Sequence, residues 1–332
     1  SGSFTGSCVI CPQNSVSSGN SWGKKTHCRM KPAGLQPAPN KGNPMTTRTT
    51  ILFLASTITG ATLLLTSGLP FVGGLAVVAG SFVLLWVLSI ALGNAGIADI
   101  FWGPGFIVAG VFYLLSLPGD PTPRGFLVVG LTAIWAARLA IHVGIRNAGS
   151  PEDFRYRRWR EEAGPSVWWI SLVKVFLLQA VLLWIVSSPL LLAQLEGPAS
   201  ALTARDLVGV ALFAIGFALE ALADWQLVRF KREPSNRGRI LQTGLWARTR
   251  HPNYFGEAVL WWGLGLLAVP TGGWLALVGP MLITFLLMKV SGVAMLDAAL
   301  VNRRPGYADY IRSTPAFFPR LRQKPASSKG GA

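Results

Sequence analysis

From residue 51 onward the chain alternates long apolar runs with short polar segments. A helix needs about 20 mostly apolar residues to cross about 30 Å of hydrocarbon. Eight runs approach that length: 51–68, 71–92, 100–117, 125–143, 168–192, 207–228, 254–269 and 273–294. The pattern predicts an all-α fold, a polytopic transmembrane bundle of about eight helices. Pro270 and Thr271 separate the last two runs, which predicts a tight hairpin, and Leu69 and Pro70 separate the first two, which suits a kinked or re-entrant pair. No internal repeat, long soluble domain or sustained heptad seam interrupts this plan.

Composition agrees with lipid as the solvent: 51% of the 332 residues are hydrophobic and 13% are charged, and the mean hydropathy is +0.44. The net charge of +16 changes the picture through its placement. Segment 146–165 holds Arg155, Arg157, Arg158 and Arg160; segment 229–250 holds seven cations against Glu233; the tail after Val301 holds seven against Asp309. Eight helices put all three on one side, the cytoplasm by the positive-inside rule. A multi-pass protein with cytoplasmic basic loops and C-terminus is expected, with a bacterial inner membrane as the first location to consider, and nucleic acid is not an expected partner.

The cysteines, Cys8, Cys11 and Cys28, form with His27 a CxxC and HC pattern that could be read as a zinc site. They lie in a Ser/Gly/Pro/Asn-rich stretch without apolar periodicity, which reads better as a disordered or non-native segment, so no metal is expected. Met45 followed by Thr46, Thr47 and Arg48 would be a sensible start. The expected organisation is a segment 1–44 of that kind, N-terminal transmembrane helices over 45–98, a main transmembrane domain over 99–320, and a flexible basic tail over 321–332.

Polar groups within apolar helices are costly and mark candidate sites. Glu220 and Asp224 sit four apart, so both carboxylates share one face and repel unless a cation, a proton or a ligand's donors lie between them. Two readings stand, a ligand site and an ion pair with Arg138, Lys174 or Arg250. Asp99, in ADIFWGPGF, either caps a helix beginning near Ile100 or, beside Phe101 and Trp102, is a site acid able to donate to a substrate carbonyl. Arg138, His142 and Arg146 form a stripe of donors suited to a phosphate or carboxylate. In GLWARTRHPNYFGE, residues 244–257, Pro252 and Asn253 fall at a helix start, where Arg248, Arg250 and His251 would help hold an anion and where Tyr254 and Glu257 are packed as well.

With ADIFWGPGF, EDFRYRRWREE, EALADWQ, GLWARTRHPNYFGE and RRPGYADY in order over residues 99–319, the chain resembles the steroid 5-alpha-reductase-like membrane reductases, most closely a bacterial branch carrying their C-terminal domain. The resemblance implies a seven-helix bundle, preceded here by one extra helix, that binds NADPH from the cytoplasmic side and reduces an activated carbon–carbon double bond of a lipidic substrate. It implies that Glu220, Asp224 and Asn253 face the nicotinamide end, with Arg138, Arg146 and Asn147 on the cofactor-facing end of one helix. Arg304, Tyr307 and Tyr310 would close over the adenosine side. Asp99 falls near the family's substrate-polarising glutamate, and Trp135 near its tyrosine partner, so Trp102 and Trp135 are expected at the substrate pocket. Asp for Glu and Trp for Tyr are departures that bear on which substrate fits.

Two alternatives belong to other classes. An isoprenylcysteine-carboxyl-methyltransferase-like enzyme shares an RHPxY turn and would use S-adenosylmethionine, but this chain has Leu296 and Asp297 where that family would show paired glutamates. A non-enzymatic lipid-binding or transport protein would show no nucleotide site.

Overall fold

The computed structural model describes residues 69–148, 156–157, 167–195, 202–290 and 292–320. All of them fall in a compact unit that spans 51–332. The helix expected at 51–68, the cysteine motif and most of EDFRYRRWREE lie outside the described residues.

The described residues are helical, without strands. Helix α1 is Leu69–Leu92, α2 Ile97–Ser116 and α3 Pro123–Asn147. Helix α4, Trp168–Leu192, contains a π-helical segment, Leu172–Leu177. Helix α5 is Ala204–Arg232 and α6 Pro252–Gly272; α7, Val278–Phe285, continues as a second π-helical segment, Leu286–Val290; α8 is Val293–Arg303 and α9 Tyr307–Ser313. Among the described residues, six runs are long and apolar enough to cross a membrane, the last being Pro252–Arg303. That run folds back on itself. Gly273 takes φ +53°, a conformation open to glycine, and across the turn the Trp262 indole donates to Thr284 Oγ1 at 3.2 Å. The hairpin is the expected one, but α6 carries through Pro270 and Thr271 to Gly272 before reversing. Leu84, Leu115, Ile145 and Leu207, each at least 70% exposed, point away from the bundle as lipid-facing side chains do.

Sequence explains the local choices. Thr122 caps α3 by accepting from Gly125 N at 2.9 Å, and Pro123 begins the helix where its missing N–H is not needed. Helices α5 and α6 run antiparallel in backbone contact because glycines face each other: a Cβ on Gly216 would meet Leu260 N at 2.4 Å, and one on Gly256 would meet Glu220 N at 2.5 Å. Small residues at such a crossing let backbones approach inside a bilayer. This contact sets α5's carboxylates beside the first turns of α6.

Ion pairs tie α3 to α5 near both ends, Arg124 to Asp206 and Arg138 to Glu220 and Asp224. Both partners advance together along the chain, so α3 and α5 run parallel and their C-terminal ends share one end of the bundle. There the loop 244–251 docks on α5, with Trp246 Nε1 donating to Ala223 O at 3.1 Å and Leu245 N to Gln226 Oε1 at 3.1 Å. The chain after α9 joins it through Arg250 N donating to Pro315 O at 2.9 Å and Arg320 N to Arg248 O at 3.0 Å. The basic loop and tail therefore meet at the basic end of the bundle.

Candidate functional site

At this end a cavity of about 390 Å³ is lined by residues of α2 to α7, within the size range of small-molecule sites. Its polar heart comes from α3, α5 and α6. Arg138 donates through Nη1 to Glu220 Oε1 at 2.6 Å and through Nη2 to Asp224 Oδ2 at 2.5 Å. The second oxygen of Glu220 accepts from Trp135 Nε1 at 3.0 Å. Asp224 also accepts from Asn253 Nδ2 at 3.1 Å and lies 3.5 Å from His142 Nε2. Arg138 is thus the cation between the two carboxylates, as the ion-pair reading requires, while both carboxylates still line the cavity.

A third carboxylate joins them. Glu257, one turn beyond Asn253 on α6, lines the cavity and is 7% exposed. No donor among the described residues is hydrogen-bonded to it, and Asn253 Oδ1 is likewise buried without a partner. Three carboxylates facing one guanidinium leave this wall rich in acceptors. From α2 the lining adds Asp99, whose Oδ1 accepts from Tyr156 Oη at 2.8 Å. Helix α2 begins at Ile97 after Gly96, so Asp99 sits inside the first turn rather than capping it.

Charge changes sign toward the rim. Arg146 and Lys174 line the cavity, and Lys231 lies within Coulombic reach of Arg146, Arg304 and Asp224. Arg146 Nε also donates to Asn147 Oδ1 at 3.2 Å.

The remaining expected residues divide. Trp102 and Tyr254 line the cavity, and the Tyr254 ring stacks on His251 with centroids 5.5 Å apart. Trp135 is fully buried and packs behind Glu220 with Phe106 and Trp261, so it supports the wall rather than facing the space. Arg248 is exposed on the docked loop, with its carbonyl taken by Arg320. Arg250 and His251, expected to hold an anion at the start of α6, are committed elsewhere. Arg250 donates to Asp297 Oδ2 at 2.6 Å and to the carbonyls of Ile311 and Thr314. His251 Nε2 sits 3.1 Å from Asp297 Oδ1, and Tyr307 Oη donates to that oxygen at 2.8 Å. Tyr310 Oη donates to Trp246 O at 2.5 Å. Burial, with Asp297 adding to it at Tyr307, pushes both tyrosine hydroxyls above their ordinary range, so they remain donors. Asp297 is the hub of a clasp between tail and loop, and these four side chains hold the clasp rather than line the cavity.

Tyr156, Lys231 and Asp297 were not among the expected site residues, Lys174 was weighed only as an ion-pair partner, and Glu257 only as packed beside the start of α6. Glu257 was legible, since its four-residue step from Asn253 puts both on one face. Asp297 had a weaker signal as an isolated acid ahead of a basic tail. Tyr156 had none, because its segment has no periodicity to orient it.

The family described as "Protein of unknown function (DUF1295)" matches residues 85–314. The chain belongs to the DUF1295 family. DUF1295 is associated with steroid 5-alpha-reductase-like proteins. Among curated proteins, the DUF1295 chain is 30% identical over 291 residues to "Uncharacterized protein C594.04c" of Schizosaccharomyces pombe, covering 76% of this chain and 80% of the relative. No solved structure matches significantly. The DUF1295 match takes in the whole cavity wall, from Asp99 and Tyr156 to Glu257 and the clasp.

Proposed function

We propose that this protein is a membrane-embedded reductase that uses NADPH to saturate an activated carbon–carbon double bond in a lipidic, steroid- or enone-like substrate. The observation that carries the reading is the polarity of the cavity, acceptors at depth and cations at the rim. The residues fit the cofactor on this ground. Asn253 Oδ1 is a buried acceptor without a protein donor, and the Glu257 carboxylate lines the cavity one turn farther along α6; both suit the amide N–H groups of a nicotinamide. Arg146, Lys231 and Arg304 would hold its phosphates near the rim.

When bound, NADPH supplies a hydride to the β-carbon of the activated alkene, and the α-carbon then takes a proton. The chain's own residues do the rest. Tyr156 Oη donates to Asp99 Oδ1 at 2.8 Å, and a protonated Asp99 would present its own O–H to the substrate carbonyl and stabilise the enolate charge that develops there. Trp102, Leu139, Leu182 and Ile283 line the space with apolar surface that limits water. Arg138 and Trp135 fix Glu220, and Arg138 through Asp224 fixes Asn253, so this wall is positioned before a ligand arrives.

The acceptor-rich depth also suits a cationic ligand, which favours S-adenosylmethionine, with its sulfonium, as the second reading. Turnover separates the two. Purified protein in proteoliposomes should oxidise NADPH when given a long-chain enone, and Asp99→Leu should stop that turnover while sparing NADPH binding. NADPH oxidation undiminished in Asp99→Leu would remove Asp99 from the chemistry.

A further inference from the structure

The cavity has one side built unlike the rest. Helices α4 and α7 each contain a π-helical segment, Leu172–Leu177 and Leu286–Val290, and both segments line the cavity, through Lys174 and Val175 on one and Leu286, Leu287 and Val290 on the other. The helices are pinned together farther along. Val278–Phe285 packs on Leu178–Val186, and Gly279 lies so close that a Cβ there would meet Val186 O at 2.4 Å. Beyond that point the π turns, a geometry that recurs at functional sites, flank the space as two jambs. The jambs face lipid as well as the cavity: Val173 is 61%, Leu178 41% and Val290 43% exposed.

Each jamb carries one lysine in otherwise apolar sequence, Lys174 in LVKVFL and Lys289 in LLMKV. Both are exposed, and no carboxylate among the described residues pairs with either. We propose that the cleft between α4 and α7 is a lateral doorway through which a single-chain amphiphile with an anionic head, a long-chain carboxylic acid, enters the cavity from the bilayer. Lys174, which lines the cavity, holds the carboxylate at the rim, and Lys289 on the facing jamb adds positive charge, apart from the acidic wall of Glu220, Asp224 and Glu257. The chain lies along Val175, Leu178, Leu182, Ile283 and Leu287. The inference names a substrate class for the proposed reductase, yet it needs only that the cavity receive a lipid and not that NADPH be the reductant.

The test is photolabelling of full-length protein in phosphatidylcholine vesicles with a diazirine-bearing long-chain fatty acid and with the matching alcohol, mapped by peptide mass spectrometry. The acid should label 172–182 and 283–290 about fivefold more than the alcohol, and Lys174→Gln with Lys289→Gln should abolish the preference while leaving alcohol labelling intact. Val175→Trp or Leu287→Trp should block both probes. Excess unlabelled fatty acid should displace the probe. Equal labelling by acid and alcohol, labelling no stronger than on the outer face of α1, or displacement by phosphatidylglycerol as effective as by fatty acid would overturn the proposal. NADPH binding measured on the same samples tells this failure from failure of the reductase reading.

Discussion

The same two helices carry an arginine–carboxylate contact at each end, and the two ends are built differently. Fourteen residues separate Arg124 from Arg138 and Asp206 from Glu220, about 21 Å along a helix. At the first end Arg124 meets Asp206 through two bonds of 2.7 and 3.0 Å, with both side chains 2% exposed. Asp206 also accepts from the Thr203 backbone N at 2.6 Å and hydroxyl at 2.9 Å. One cation meets one anion, and the contact is closed. At the second end one guanidinium serves Glu220 and Asp224 while Glu257 stands beside them without a donor, and a cavity opens there. Matched charge staples helices together; unmatched charge next to space is where a ligand can supply what the protein does not.

The largest expected effect breaks the matched end. Arg124→Leu or Asp206→Leu leaves an uncompensated charge in the membrane and should cost about 3 to 5 kcal/mol, read by denaturant or thermal unfolding in detergent, and the double Leu variant should recover most of it. A smaller effect distinguishes the second end. Asp224→Ala strips an acceptor from Arg138 and Asn253 but leaves Arg138 paired with Glu220, so stability should fall by about 1 to 2 kcal/mol, while NADPH affinity falls at least about tenfold. If the two ends lose stability equally, the contrast drawn between them is wrong. The smallest effect isolates the third carboxylate. Glu257→Gln keeps the shape and removes one of three acidic groups crowded at one guanidinium, so unfolding should shift by about 0.5 kcal/mol toward greater stability, with NADPH affinity lowered about threefold in a titration.

The helix plan was legible because membrane helices announce themselves by length and apolarity, and the runs 71–92 and 168–192 match observed helices within two residues. The carboxylate pair and Asn253 were legible through four-residue spacing and an adjacent motif. The uses of Arg250, His251, Tyr307 and Tyr310 were not. A basic, tyrosine-rich tail looks the same in sequence whether it closes over a ligand or over Asp297, and only the tertiary placement of that acid on α8 decides. Arg138 shows the same limit. Its helical position predicted a donor stripe, but its partners lie more than eighty residues away on α5. Trp135 was expected at the substrate pocket, yet periodicity could not say that its indole points to Glu220 behind the wall instead of into the cavity.

The most direct measurement is a binding titration of NADPH against detergent-purified protein, with S-adenosylmethionine as competitor and Asp224→Ala in parallel. Saturable NADPH binding that S-adenosylmethionine does not displace, and that weakens at least about tenfold in the folded variant, is the result the account predicts. Binding of S-adenosylmethionine in its place, or NADPH binding that Asp224→Ala leaves unchanged, would contradict it.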